Sequence, residues 1–113
     1  MKEIKAFVRP NKVNKIVHEL KNNGFENATI SSAEGVGKFQ DENAFVSQKF
    51  SVTDSPVAKI EMVVFKEDVN TIIKIISEVG KTLYPGDGLI YVSDVEKAFR
   101  VKTGEDIRQD DLE

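Results

Sequence analysis

The stretch Val13-Asn14-Lys15-Ile16-Val17-His18-Glu19-Leu20-Lys21-Asn22-Asn23-Gly24 returns later in the chain as Val69-Asn70-Thr71-Ile72-Ile73-Lys74-Ile75-Ile76-Ser77-Glu78-Val79-Gly80, with Val, Asn, Ile and the closing Gly in register. The same offset relates Ile4 to Ile60 and Val8 to Val64, in stretches that alternate as half-buried strands do. Two unrelated amphipathic helices would share apolar spacing by chance, but the common Asn and Gly weaken that explanation. The chain reads as two versions of one strand-helix unit.

In both copies the apolar residues recur at i, i+3, i+4 and i+7: Val13, Ile16, Val17 and Leu20, then Val69, Ile72, Ile73 and Ile76. Each helix thus presents one apolar stripe to a sheet. Gly24 and Gly80 stand where a helix would close on a left-handed residue. Residues 29–36 and 89–94 supply a strand after each helix. Strand-helix-strand twice over is the split βαβ, ferredoxin-like arrangement, so the expected fold class is α+β with an antiparallel sheet. The strand at 59–65 carries apolar residues in both phases, Ile60, Met62 and Val64 in one and Val63 and Phe65 in the other. Both of its faces should therefore be buried, one of them by other copies of the chain.

At 113 residues there is room for one core, and the whole length 1–113 is read as one domain. The absence of cysteine excludes disulfides, thiol catalysis and thiolate-bound metals. The net charge of −3, with no basic helix face, removes the electrostatic footprint of a nucleic-acid binder. The longest plain apolar run, Met62 to Phe65, is far too short to span a bilayer, and the chain opens on a charged strand. A cytoplasmic protein is expected. His18, the single histidine, lies between core positions of the first helix and has no recognisable metal partners.

Three places could carry chemistry. The stretch from Gly37 to Pro56, about twenty residues without sustained period, exceeds the usual connection of roughly four to six. Its Phe39, Phe45 and Phe50 suit anchors for a partner or ligand cleft, or else the packing of a β-hairpin extension. At its mouth Gly35-Val36-Gly37-Lys38 could bring backbone amides and a cation to an anion, or simply bend the chain. Finally, the Gly86-Asp87-Gly88 turn and a short basic strand, Arg100-Val101-Lys102-Thr103-Gly104-Glu105, could form two walls of a phosphate site. On a strand, Arg100 and Lys102 would share a face. Gly80-Lys81-Thr82 lacks the earlier glycine of a phosphate-binding loop, since Ile75 stands there.

In order along the chain, the opening strand and helix, Gly35-Val36-Gly37, the long loop, Lys59-Ile60-Glu61, Gly86-Asp87-Gly88 and the Arg100 to Glu105 motif resemble the PII family of signal-transduction proteins. The likeness covers nearly the whole chain, and its last motif is the most specific. It implies a homotrimer of ferredoxin-like subunits, each projecting a T-loop, here about 37–56, between its second and third strands. It also implies adenine-nucleotide clefts between subunits, binding of 2-oxoglutarate with ATP and magnesium in many members, and a target transporter or enzyme engaged by the T-loop. The tail would begin at about 103.

Carried over residue by residue, the resemblance assigns nucleotide contacts to Gly35, Val36, Gly37, Lys38, Gly86, Asp87, Gly88, Leu89, Arg100 and Lys102. The chain also departs from the pattern. Leu89 replaces a lysine, Thr82-Leu83-Tyr84-Pro85 replaces a threonine-glycine-lysine run, and Lys102 replaces an arginine fork. Phe39 and Val57 stand where the family holds a glutamine and a lysine for 2-oxoglutarate. A regulator is expected, without a required cofactor or metal, with ADP or AMP favoured over ATP with 2-oxoglutarate. One alternative is a docking module that has lost nucleotide binding. The other is a small enzyme, for which Glu61 and Asp87 are the candidate acids.

Overall fold

A computed structural model describes residues 1–36, 45–46, 53–84 and 86–107, with the backbone alone at 45–46 and 53–55. The expected site residues Gly37, Lys38, Phe39 and Phe50, and the side chain of Phe45, lie outside the described residues. In chain order the elements are β1 (Lys2–Val8), a 3-10 turn (Pro10–Lys12), α1 (Val13–Asn22), β2 (Thr29–Gly35) and β3 (Phe45–Val46). They are followed by β4 (Thr53–Val64), a second 3-10 turn (Lys66–Asp68), α2 (Val69–Gly80) and β5 (Gly88–Asp94). The repeat survives down to the 3-10 turn that opens each helix. Pro10 suits the first of these turns because its fixed φ is already helical and its missing N–H would have no partner there.

The sheet is antiparallel in the order β2-β4-β1-β5, the ferredoxin-like arrangement, with β3 pairing the start of β4. In the middle of the sheet Ala6 lies opposite both Ile60 and Ile90, and Ile30 lies on the far side of Ile60. Strand alternation turns Ile4, Ala6 and Val8 of β1 and Ala58, Ile60, Met62 and Val64 of β4 to one face. There they meet Ile16 and Leu20 of α1 and Ile72 and Ile76 of α2, all fully buried. Each such side chain contributes about 1.5–3 kcal/mol by leaving water. On the other face Phe7 stacks on Tyr91 with ring centroids 6.0 Å apart, among the ion pairs Lys5–Glu3 and Lys59–Glu61.

Three expectations need correction. Gly24, at φ +87°, does close α1 in the left-handed region: Phe25 N–H donates to the Leu20 carbonyl and Gly24 N–H to that of Lys21. Gly80 instead is the last residue of α2, and the chain leaves by turning extended at Lys81. Its buried Cα faces Ile16 Cδ1, which an added Cβ would approach to 3.4 Å. Phe65 does not extend the second apolar phase of β4, because the strand ends at Val64 and Phe65 caps the 3-10 turn. The strand also starts early, at Thr53, inside the stretch read as aperiodic. Pro56 is accommodated there, opposite Glu34, because the last β1 pair is Val8 with Ala58 and no β1 neighbour needs its missing N–H.

Candidate functional site

The glycine turn lies where β5 meets the end of β1. Gly86 and Gly88 both have positive φ, +94° and +118°. Gly88 is required on steric grounds as well: a Cβ there would fall 1.7 Å from the Phe7 carbonyl oxygen. This approach lets β5 pair with β1 to its very end, Gly88 opposite Val8. Between them Asp87 gathers three donors. Thr82 gives its backbone N–H at 2.7 Å and its hydroxyl at 2.6 Å, and Arg9 gives Nε–H at 3.0 Å. The Thr82 hydroxyl in turn accepts the Tyr84 N–H at 3.1 Å, so one threonine ties both Tyr84 and Asp87.

Burial pushes the Asp87 carboxyl up, but the Thr82 and Arg9 bonds outweigh it and the group lies below the ordinary aspartate value. The hydrogen bond from Lys59 lowers Glu61, against a smaller effect of burial. Both residues considered as enzymatic acids are therefore held as carboxylates, a poor state for donating a proton at neutral pH.

Gly35 ends β2 opposite Ser55, at the same end of the sheet as the glycine turn, and the Val36 side chain beyond it is 65% exposed. Leu89 follows the turn at 64% exposure, and Leu83 and Tyr84 before it are more exposed still. Beside the turn, a hollow of about 100 Å³ reaches from Asp87 and Gly88 to Lys81 and Gly80.

Arg100 lies elsewhere. It lines an open cleft of about 580 Å³ with Glu3, Glu26, Asn27, Thr29 and Glu61, next to Val63. Its segment is not a strand. Arg100 N–H donates to the Glu105 carbonyl at 3.0 Å, Gly104 N–H donates to the Arg100 carbonyl at 2.7 Å, and Gly104 takes φ +69°. With Phe99 bridged to Asp106, residues 99–106 form a tight hairpin, so the strand argument that put Arg100 and Lys102 on one face does not apply. Both side chains remain exposed. Since β5 starts beside Val8 and ends beside Lys2, the cleft and the glycine turn sit at opposite ends of a seven-residue strand, about 20 Å apart. One chain does not bring the two expected phosphate walls together.

Sequence reasoning missed Arg9 and Thr82 at the turn and Glu26, Asn27 and Thr29 at the cleft. A signal existed for Arg9: its counterpart in the repeat is the apolar Phe65, and a position where two copies diverge from apolar to cationic is worth inspecting. The cleft residues gave no such signal, because their grouping depends on which strand positions are left unpaired. Among the described residues no group of three or more acidic or histidine side chains is placed to hold a metal ion, and no helix is long and apolar enough to cross a membrane.

The sequence model of the family described as Nitrogen regulatory protein P-II matches residues 1–105. Three curated proteins that carry this description are similar over nearly their full length. The one from Porphyra purpurea is 33% identical over 93% of this chain and 95% of its own. That from Haemophilus influenzae is 34% identical over 94% and 96%, and that from Rhizobium meliloti 31% identical over 93% and 95%.

Proposed function

The chain belongs to the nitrogen regulatory P-II family, whose members are non-catalytic regulators, and on that footing we propose that it senses an adenine nucleotide in clefts between the subunits of a homotrimer. ADP or AMP is favoured over ATP with 2-oxoglutarate, and another anionic metabolite is the variant of this reading. The cytoplasm is the proposed location. The loop of about 37–56 then presents one of two arrangements to a target transporter or enzyme, and the ligand acts by its different affinity for the two.

The observation that carries this reading is the separation of the walls. The glycine turn of one subunit and the Arg100 cleft of another can close on one ligand, whereas both walls of a single chain cannot. The open sheet face supports the assembly, since Phe7, Tyr91 and the 40% exposed Val63 await a covering surface. Leu83, Tyr84 and Leu89 around the turn are uncharged, which reduces the attraction gained with each added phosphate.

Calorimetric titration with AMP, ADP and ATP is the test, with light scattering to count subunits. Arg100→Ala should lose about 1.5–3 kcal/mol of nucleotide affinity, as for a hydrogen bond to a charged group, at an unchanged melting temperature. Equal affinity in variant and parent would remove Arg100 from the site, and a monomer would remove the cleft. Addition of 2-oxoglutarate to the nucleotide-loaded protein should give no saturable heat. Exposure of Leu83 and Leu89 favours one second reading, a trimeric docking module without nucleotide binding, which a flat titration with all three nucleotides would support.

A further inference from the structure

The glycine turn proposed to meet an anion contains an anion of its own. Asp87 sits between Gly86 and Gly88 with its carboxyl held in the ionised form, a charge that a phosphate bound at the turn would meet. Two contacts change that. Thr82 aims two donors at the carboxylate and holds it toward the loop it closes, and Arg9, only 15% exposed at the end of β1, lays a guanidinium against the same group at 3.0 Å. We propose that Arg9 is a positioning residue of the anion site: by pairing with Asp87 it cancels the carboxylate charge at the turn, so that the site tolerates a phosphorylated ligand without Arg9 touching it. This rests on the nucleotide reading above.

A simple staple between β1 and the turn would use the same bond, but the two roles part in their dependence on charge. If Arg9 neutralises Asp87, removing it leaves a bare carboxylate whose repulsion rises with each phosphate on the ligand. Loss of a staple would weaken all ligands alike. Removing the carboxylate as well should restore binding only in the first case.

The experiment is titration of the whole protein with magnesium-free AMP, ADP and ATP. Arg9→Gln should weaken AMP by about threefold, ADP by about tenfold and ATP by more, with penalties that shrink at high salt as screening shortens the reach of Asp87. Adding Asp87→Asn to Arg9→Gln should recover most of the ATP affinity. Equal penalties for the three nucleotides, or a double variant no better than the single, would overturn the proposal and leave the nucleotide reading intact. A parent protein that binds none of the three would overturn both. Should Arg9→Gln fail to fold, Arg9→Lys serves, because it keeps the charge and loses the Nε geometry. It should keep the parent ratio of ATP to AMP affinity, and a ratio shifted toward AMP would overturn the proposal.

Discussion

The two halves of the chain begin alike and finish differently. Ile4, Val8, Ile16 and Leu20 of the first half are buried as Ile60, Val64, Ile72 and Ile76 are in the second. After the helices the copies part. In the second half β5 pairs with β1 to the end, so Ala6, Phe7 and Val8 face Ile90, Leu89 and Gly88. In the first half β2 begins pairing only where Thr29 meets Glu61, and Met62, Val63 and Val64, the equivalents of those three β1 residues, have no β2 partner. The chain from Gly24 to Asn27 stands off there and leaves a cavity of about 140 Å³, continuous in its lining with the Arg100 cleft through Glu26, Asn27, Met62 and Val63. One half closes its sheet with a glycine and the other leaves it open. The glycine turn lies in one of these divergent connections and the Glu26 to Thr29 side of the Arg100 cleft in the other, while the core positions that precede them stay alike.

The sharpest break of this comparison is Gly88→Ala. Its Cβ would fall against backbone atoms of Phe7 that no rotamer change can clear, so a loss of more than about 3 kcal/mol, or failure to fold, is expected in thermal melts. Glu26→Ala, at the position that would face Val64 if β2 continued, should change stability by less than about 0.5 kcal/mol, since it lines open space. Next come Ile16→Ala and Ile72→Ala, equivalent and both 0% exposed. Each should cost about 2–5 kcal/mol in denaturant unfolding, and a difference between them beyond about 1 kcal/mol would show that the halves do not share the core equally.

The closing glycines should give smaller effects of opposite sign. Gly24→Ala forces φ +87° on a side chain and should cost about 1 kcal/mol or more. Gly80→Ala places a methyl at ordinary contact distance from Ile16 inside a helix and should be neutral or stabilising by up to about 1 kcal/mol. The smallest effect is a pH dependence confined to the second half. The Asp87 value is lowered on folding, so its contribution is complete above the unfolded value near about 4 and is lost as the pH falls through the folded value. Acid unfolding of Asp87→Asn should lack that part of the slope, and an identical acid limb in parent and variant would show that the Arg9 and Thr82 contacts contribute nothing to folding.

Much of the site's material was visible in the chain, but little of its layout. Gly86, Gly88 and Gly104 announce turns because only glycine enters positive φ freely. The role of Asp87 was hidden, since an aspartate between glycines can as well face a ligand as bind Thr82 and Arg9. Arg100 was placed on a strand by alternation, and the hairpin closed by Glu105 and Gly104 corrected that, because a turn of six residues leaves too few positions for a period to be read.

What the sequence determined by itself is the repeated unit, the two helices with their stripes, the strands that flank them apart from the early start of β4 at Thr53, and the antiparallel α+β class. These follow from local periodicity, which the helix and strand windows of the chain carry. Tertiary structure alone decided that β2 pairs late and β5 pairs fully, that Arg9 pairs with Asp87, and that the two candidate walls lie at opposite ends of the sheet. Strand register and salt bridges between distant residues depend on which parts of the chain meet in space, and a steric contact as close as that of Gly88 with Phe7 appears in no local pattern.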